Sequence, residues 1–334
     1  MPRKARITVP GAFHQVMARG IDGRDLFKDD DGRRQFIKLL KEGLAHGRHR
    51  LYAWALLSNH YHLLIRVSDS PFSEMMRRLN SRYARFYSKK YRRRGCLFQD
   101  RYKSTVTQDR KYAEEILRYI HLNPIRSGLC KGLKELKSFL WSGHRAVMGS
   151  VAVEDKKAIK EILRRFGKNE QEARKAYVRF LEQGLSHKED GGGIVDRLRK
   201  NNQGTESICS SGSRVVGDQE FVKKVLEQAK QRKLRLARYR AEHVTLDDVA
   251  RKVGSALGVS IQQVRSRSRG GMASKARKVF SYVSRKAYEF PIKEIGRYLG
   301  ICGPPVSMSV PQGEEIVKKD KGLKRLIYPV PGYV

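Results

Sequence analysis

Residues 56–67 of the chain read LLSNHYHLLIRV, an apolar run in which His60 and His62 stand on either side of Tyr61. Alternate side chains of a β-strand point to opposite faces of the sheet, so both histidines are expected on one face and Tyr61 on the other. Two imidazoles at this spacing can bind one metal ion, but such a pair also arises by chance at structural or surface positions. The role of the pair therefore depends on what lies opposite it.

The segments that flank this stretch predict a small sheet with helices. We assign strands to residues 13–20, 50–58 and 60–68, and a turn followed by a strand to residues 95–109. We assign amphipathic helices to residues 29–47, 71–92 and 110–123, and we expect the last of these to end at Pro124 and Gly128. The resulting order, βαββαβα, predicts an α+β fold: a ferredoxin-like antiparallel sheet with helices on one face.

A second stretch, EEILRYIHLNPIRSGL at residues 114–129, places Tyr119 and Asn123 four residues apart on one helix. Residues at this spacing share a face, so a phenol and an amide are presented together. Tyr119 can be a nucleophile and Asn123 a neutral metal ligand; alternatively, Tyr119 is a core aromatic and Asn123 a helix cap. His121 points away from this face, and we interpret it as a structural or surface residue rather than a ligand.

The segments SNHYHLLI (58–65), FQDRYKS (98–104) and LRYIHLNPIRSGL (117–129) resemble, in order and spacing, the three signatures of the single-tyrosine HUH transposases. More narrowly, they resemble the REP-associated tyrosine transposases, and residues 18–36 are similar to the opening of that family. The resemblance covers about residues 1–145.

The resemblance implies that His60, His62 and Asn123 bind a divalent metal, Mg²⁺ or Mn²⁺, and that Tyr119 attacks DNA. Imidazole ligands by themselves favour Zn or Mn over Mg, so the choice of metal rests on the resemblance. The implied substrate is single-stranded DNA that carries a hairpin. Cleavage would leave a 5′-phosphotyrosine, and the free 3′-hydroxyl could later reverse the step and join strands. The expected function is therefore DNA transposition.

The composition agrees with a nucleic-acid partner. The chain holds 71 Lys and Arg against 34 Asp and Glu, a formal net charge of +37. Residues 1–150 hold 32 cations against 13 anions and residues 151–334 hold 39 against 21, so both halves are basic. Such a surface favours a polyanion, with an anionic membrane as the weaker alternative. We see no long apolar run, secretion signal or CxxC pair, and we expect a cytoplasmic protein.

A basic, aromatic-rich stretch follows the histidine strand. Residues 77–111 hold 13 Lys and Arg and two acids, interleaved with aromatic residues. We interpret the stretch as a track for phosphates with rings that stack on bases, against the alternative of a solvated helix face. The predicted DNA contacts are Arg82, Arg85, Lys89, Lys90, Arg92, Arg93, Arg94, Arg101 and Lys103.

Residues 245–301 resemble the C-terminal DNA-binding domain of the bacterial replication initiator DnaA, through LGVSIQQVRSRSR (257–269), ARKVFSYVSRK (276–286) and FPIKEIGRYLG (290–300). The resemblance implies a helix-turn-helix that binds duplex DNA, with residues 291–300 as its first helix and 304–315 as its recognition helix. The recognition helix departs from the DnaA pattern, and Pro311 is expected to end it after two turns. The alternative is a helical bundle that only packs on the first domain. The predicted contacts are Arg265, Arg267, Arg269, Lys275, Arg277 and Lys278.

The predicted organisation has five parts: a transposase domain (1–149), a helical hairpin that braces the two DNA-binding units (150–187), a flexible linker (188–217), the helical DnaA-like domain (218–310) and a tail (311–334). The alternative function is a catalytically silent regulator that binds hairpins or repeats. A third, an RNA-binding protein, is disfavoured because such sheets present stacking aromatics where this one has histidines. The sequence leaves monomer and homodimer open.

Overall fold

The computed structural model describes residues 7–68, 72–108, 110–150, 155–185, 206–208, 213–266, 268 and 270–326. The chain divides into two compact units, Met1–Glu227 and Gln228–Val334. The strands are β1 (Phe13–Arg19), β2 (Arg50–Leu56), β3 (His60–Arg66), β4 (Lys103–Thr107), β5 (Glu206–Ile208) and β6 (Ser213–Val216). The helices of the first unit are α1 (Asp30–Gly47), α2 (Phe72–Lys90), α3 (Arg110–Arg126), α4 (Leu133–Ser138), α5 (His144–Val147), α6 (Lys156–Leu163), α7 (Glu170–Leu185) and the start of α8 (Gln219–Ala241).

The sheet of the first unit has the strand order β2-β3-β1-β4-β6-β5. Its first four strands are antiparallel, with β1 between β3 and β4, which confirms the predicted ferredoxin-like arrangement. The antiparallel prediction is wrong at the other edge, because β6 pairs parallel to β4.

Strands β5 and β6 lie inside the predicted linker, so residues 206–208 and 213–216 are part of a sheet and not a flexible connection. The segment was assigned to a linker because it is rich in Gly, Ser and Asn, but Val215 and Val216 of β6 are buried. Val215 packs with Val106 of β4 and with Val222 at the start of α8. Residues 188–205 and 209–212 of the predicted linker lie outside the described residues.

Helices α1 and α2 cover one face of the sheet. Asp29 is the N-cap of helix α1, and its carboxylate accepts a hydrogen bond from the backbone N–H of Gly32 at 2.8 Å. Its apolar stripe, which includes Phe36 and Leu40, is buried against Tyr61 and other residues of this face. The predicted helices 29–47 and 71–92 are confirmed.

Helices α3, α6 and α7 cover the opposite face, so the prediction of helices on one face is wrong. Leu64 of β3 is buried in this second core together with Ile120 of α3, Ile162 of α6 and Leu181 of α7. Phe13 of β1 and Tyr52 of β2 are buried in the same core, so apolar side chains lie on both faces of the sheet and both faces need cover. The helices predicted as a brace between two units belong to the core of the first unit.

Helix α3 continues through Pro124 to Arg126, three residues beyond the predicted end. The proline lies in the last turn, where the amide of Leu129 donates to its carbonyl at 2.9 Å. Gly128 adopts a positive φ of 75°, the left-handed conformation that commonly ends helices. Gly128 therefore ends the helix and Pro124 does not.

The second unit is helical, as predicted. Its helices are the remainder of α8, α9 (Leu246–Leu257), α10 (Ile261–Arg265), α11 (Gly271–Lys286), α12 (Ile292–Tyr298), α13 (Gly303–Lys319) and α14 (Lys321–Lys324). Pro311 does not end α13, and the predicted tail from 311 is helical as far as Lys324. Gly313 lies so close to the carbonyl of Lys278 that a Cβ there would overlap it, and Val306 and Val317 are buried. Close packing of α13 on α11 offsets the hydrogen bond that Pro311 cannot make.

No helix in the described part of the chain combines the length and the apolar composition needed to cross a lipid bilayer.

Candidate functional site

The two histidines of β3 share one face of the sheet. Their ring centroids are 5.0 Å apart and nearly perpendicular, at 83°. Tyr61 points to the other face, where its hydroxyl donates to Asn80 Oδ1 at 2.9 Å. His62 is buried and His60 is half-buried. The alternation predicted from the sequence is confirmed.

The tight turn between β2 and β3 orients His60. Its Nδ1 lies 2.7 Å from Oδ1 of Asn59, and Nδ2 of Asn59 donates to the carbonyl of Gly23 at 3.0 Å. Because Asn59 Oδ1 can only accept, Nδ1 of His60 carries the proton and Nε2 keeps its lone pair. This is the arrangement in which an outer hydrogen bond prepares a histidine to bind a metal.

Both imidazoles are neutral at physiological pH. Burial lowers the pKa of His62 to about 3, with a further contribution from His60. Burial also lowers the pKa of His60 to about 4, assisted by the positive charge of Arg19, which lies opposite it on β1. Only a neutral imidazole can donate a lone pair to a metal, so the environment keeps both side chains in the form that can bind one.

Helix α3 brings Tyr119 to the histidines. The Tyr119 ring centroid lies 5.5 Å from that of His62, edge to face at 87°. One turn later, Nδ2 of Asn123 donates to the backbone carbonyl of Tyr119 at 2.9 Å. Because α3 continues to Arg126, this bond lies within the helix and Asn123 is not its cap. Its Nδ2 is committed to the backbone, and Oδ1 is the atom of this amide that can bind a cation.

The donor set fits a divalent cation. Nδ1 of His62 is buried and has no hydrogen-bond partner among the described residues. An orphaned buried nitrogen costs free energy until a ligand, an ion or a water satisfies it. The described residues contain no group of three His, Cys, Asp or Glu side chains that could hold a metal. The candidate donors are instead the histidine pair and, one turn after Tyr119 on α3, the amide oxygen of Asn123.

His121 lies on the far side of α3 and is fully buried. Its Nδ1 is 2.7 Å from the hydroxyl of Tyr177 on α7. His121 is therefore a structural residue of the interior, and the alternative of a surface contact is wrong.

Two cations beside the site were missed from the sequence. The guanidinium of Arg126 lies over the Tyr119 ring, 5.5 Å from its centroid. Arg126 is seven residues after Tyr119, two turns along the same face, and this spacing is the signal that could have identified it. Arg19 faces His60 across the β1–β3 pair on the same face of the sheet, and only the strand register reveals it.

The predicted DNA contacts of the first unit fall in two places. Met17 of β1 pairs with His62 on one side and with Lys103 on the other, so the Lys103 side chain lies on the same face of the sheet as the histidines. Lys103 is exposed. The remaining predicted cations lie on α2, which packs on the opposite face of the sheet, or in the connection between α2 and β4. Arg82 pairs with Glu42 at 2.7 Å, and Lys90 pairs with two acids at the start of α1. Arg93 is half-buried, and the others are exposed: Arg82, Arg85, Lys89, Lys90, Arg92, Arg94 and Arg101.

The aromatic side chains interleaved with these cations are mainly core. Tyr83, Tyr87 and Tyr102 are buried. The hydroxyls of Tyr83 and Tyr87 donate to the carbonyls of Leu26 and Asp25, at 2.6 and 3.0 Å. These rings hold α2 to the segment before α1 and are not exposed for stacking on bases.

In the second unit, Lys275 and Lys278 are half-exposed on α11. Arg277 donates to the carbonyls of Ser266 and Ser268, and Arg265 lies over the Tyr298 ring at 4.9 Å, so both guanidinium groups hold local structure. Arg267 and Arg269 lie outside the described residues. The exposed surface of the first half of α13 consists of the uncharged residues Pro304, Pro305, Met308 and Gln312.

A comparison with protein-family models matches part of the first unit. Residues 12–123, about a third of the chain, match the family model "Transposase IS200 like". No curated protein matches the sequence. A solved structure described as a REP-associated tyrosine transposase bound to a REP hairpin has 15% identity and a TM-score of 0.38, over 45% of this chain and 86% of the other. The matched residues include His60, His62, Tyr119 and Asn123. Over residues 12–123, the first unit is therefore similar to the IS200-like transposases.

Proposed function

We propose that this protein is a DNA transposase that cuts and rejoins single-stranded, hairpin-bearing DNA through a covalent bond to Tyr119. The observation that carries the proposal is the approach of Tyr119 on α3 to the histidine pair on β3, with ring centroids 5.5 Å apart for Tyr119 and His62. A phenol and two neutral imidazoles meet on one face of the sheet, and the Asn123 amide lies one turn after the phenol on α3. The match of residues 12–123 to the IS200-like transposase model supports the same chemistry.

In the proposed reaction, the Tyr119 oxygen forms a bond to phosphorus and the bond from phosphorus to the 3′-oxygen breaks. The phenol loses its proton and the departing 3′-oxygen gains one, so the products are a 5′-phosphotyrosine and a free 3′-hydroxyl. The reverse reaction with a different 3′-hydroxyl joins strands without a further energy source. Arg126, over the ring of Tyr119, stabilises negative charge on the phenolate and on the phosphate.

His60, His62 and Asn123 would hold a divalent cation, Mg²⁺ or Mn²⁺. When bound, such an ion neutralises phosphate charge and polarises the phosphorus. The neutral imidazoles and the orphaned nitrogen of His62 support this assignment. Since none of the three ligands carries a charge, binding of the ion with the anionic DNA is more favourable than binding of the ion alone.

The DNA would enter along the cations of the histidine face. Arg19 and Lys103 are exposed on this face. Arg19 on β1 pairs with His60, and Lys103 on β4 pairs with Met17 of β1, which itself pairs with His62. The exposed cations of α2 lie on the other layer, so they suit a flanking hairpin better than the strand at the nucleophile. For the second unit we propose duplex contacts from Lys275 and Lys278, because the first half of α13 presents no positive charge.

The test is a covalent-adduct assay. End-labelled hairpin oligonucleotides from the flanks of the gene are incubated with the protein and Mg²⁺ or Mn²⁺, then separated on a denaturing gel. The matched pair of variants is Tyr119→Phe and Tyr112→Phe, since both tyrosines lie on α3 and pack on the same core. We expect a labelled band of protein size from the wild type and from Tyr112→Phe, and none from Tyr119→Phe or with EDTA.

A band that persists in Tyr119→Phe would contradict the assignment of the nucleophile. Tight binding of the hairpins without a band under any metal condition would contradict the enzyme and would favour the silent regulator.

A further inference from the structure

Helix α7 holds the helix that carries the proposed nucleophile. The guanidinium of Arg118 on α3 lies 4.3 Å from the centroid of the Phe180 ring on α7. Near the end of α7, a Cβ at Gly184 would lie 2.7 Å from Cδ of Arg118 and 2.9 Å from a methyl of Leu122. Gly184 is therefore a position of close approach between the two helices. The other side of α3 packs on the sheet.

Between these contacts, one buried hydroxyl joins three elements. The Tyr177 hydroxyl on α7 lies 2.7 Å from Nδ1 of His121 on α3 and 3.0 Å from Nδ1 of His144 on α5. All three residues are buried, with exposures of 2% or less. We call this group the Tyr177 cluster. A hydroxyl has one proton, so it donates to one imidazole and accepts from the other, which requires opposite tautomers of the two histidines.

The Tyr177 cluster constrains the rotation of α3. His121 follows Tyr119 by two residues, so their side chains diverge by about 200° around the helix axis. The hydrogen bond on the α7 side therefore sets the direction of Tyr119 on the sheet side. A buried bond of this kind is directional, whereas the apolar contacts of Ile120 and Leu181 tolerate small rotations. In-line attack on phosphorus is sensitive to displacements of about 1 Å.

We propose that Tyr177 is a positioning residue that fixes the orientation of Tyr119 toward the histidine pair. It touches neither DNA nor the reacting atoms, and it acts through His121 and α3. This inference rests on the proposed function for its effect on rate, but the constraint on α3 is a property of the fold alone.

The variant is Tyr177→Phe, which removes the hydroxyl and keeps the ring that packs on Phe166. Its matched control is Tyr83→Phe. Tyr83 is equally buried, and its hydroxyl donates to the carbonyl of Leu26 on the other layer of the sheet. Three quantities are measured for each variant: the melting temperature, the affinity for the hairpin, and the single-turnover rate of adduct formation at saturating protein, well below the melting temperature.

We expect both variants to melt at lower temperature, because each leaves buried polar groups without a partner. Only Tyr177→Phe should lower the rate, by roughly ten- to a hundredfold, with hairpin affinity within about twofold of wild type. A rate for Tyr177→Phe within about twofold of wild type, or an equal loss in Tyr83→Phe, would overturn the proposal.

A second variant and a second readout keep the test independent of folding and of the proposed reaction. Gly184→Ala removes no polar group, and its methyl crowds Arg118 and Leu122, so it should shift α3 and lower the rate several-fold. Amide hydrogen exchange of residues 113–123 reports on α3 directly. We expect faster exchange there in Tyr177→Phe than in Tyr83→Phe, and equal exchange would overturn the proposal even if the wild type forms no adduct. The lack of a wild-type adduct would contradict only the proposed function.

Discussion

Replacement of His62 by leucine should stabilise the metal-free protein and abolish its reaction. The side chain is 4% exposed, and its Nδ1 has no hydrogen-bond partner among the described residues. A buried polar group without a partner costs about 1–3 kcal/mol. Leucine removes that cost, but it also loses the edge-to-face contact with Tyr119, which is worth about 0.5–1.5 kcal/mol. The expected net change is about 1 kcal/mol in favour of the folded state.

His14 provides the matched control, because it is also a buried histidine of the central sheet. Its Nδ1 lies 3.2 Å from the Ser104 hydroxyl, and its Nε2 accepts from the backbone N–H of Val9 at 3.4 Å. His14→Leu leaves these two partners unsatisfied, so we expect a loss of about 1–3 kcal/mol. The same substitution should therefore change stability in opposite directions at the two positions.

Urea unfolding in EDTA at pH 7.5 measures both free energies, and a second series with Mn²⁺ measures the stabilisation by metal. A ligand at a hundred times its Kd stabilises by about 2.7 kcal/mol, and we expect the wild type and His14→Leu to gain this while His62→Leu gains none. If His62→Leu destabilised the metal-free protein as much as His14→Leu, or kept the gain with Mn²⁺, the assignment of His62 as a prepared ligand would be refuted.

Two further outcomes follow from burial and packing. Burial lowers the pKa of His14 and His49 from 6.5 to about 4. As the pH falls, the unfolded state therefore binds protons before the folded state does. The free energy of unfolding should drop by about 3 kcal/mol per histidine between pH 6.5 and 4. Urea midpoints across that range check this, and a flat profile would contradict it. Because α3 is held between its own sheet and α7, each protein molecule should use its own Tyr119 with its own histidines. A mixture of the Tyr119→Phe and His62→Ala variants should then form no more adduct than either variant alone. A restored adduct band would show that two molecules of the protein exchange α3.

The candidate site was predicted from the sequence because its geometry follows from two local periodicities. Alternation along β3 places His60 and His62 on one face, and the spacing of four places Asn123 beside Tyr119 on α3. That these two groups face each other was implied by the family resemblance and not by either periodicity. The contact of His62 with Tyr119 agrees with that expectation.

Other features could not be predicted, because they depend on residues distant in the sequence. Strand β6 was assigned to a linker, and it forms a strand only because β4 offers an edge with which it pairs. Pro311 was expected to end a helix, and close packing of α13 on α11 at Gly313 overrides it. Arg19 joins the site through strand register alone. Intrinsic preferences of about 1–3 kcal/mol per residue are outweighed when packing buries a whole element face.

The sequence by itself determined the order βαββαβα, the basic charge of both halves and the residues able to do the chemistry. Each of these depends on the hydrophobic periodicity, the net charge or the side-chain type of a segment, and not on its neighbours in the fold. Only the tertiary structure decided that α3 is enclosed between the sheet and α7, and that Tyr177 bonds to His121 across 56 positions of the chain. The physical reason is that a hydrogen bond or a close packing contact forms between whichever groups the fold brings within a few ångströms of each other. No local pattern records that proximity.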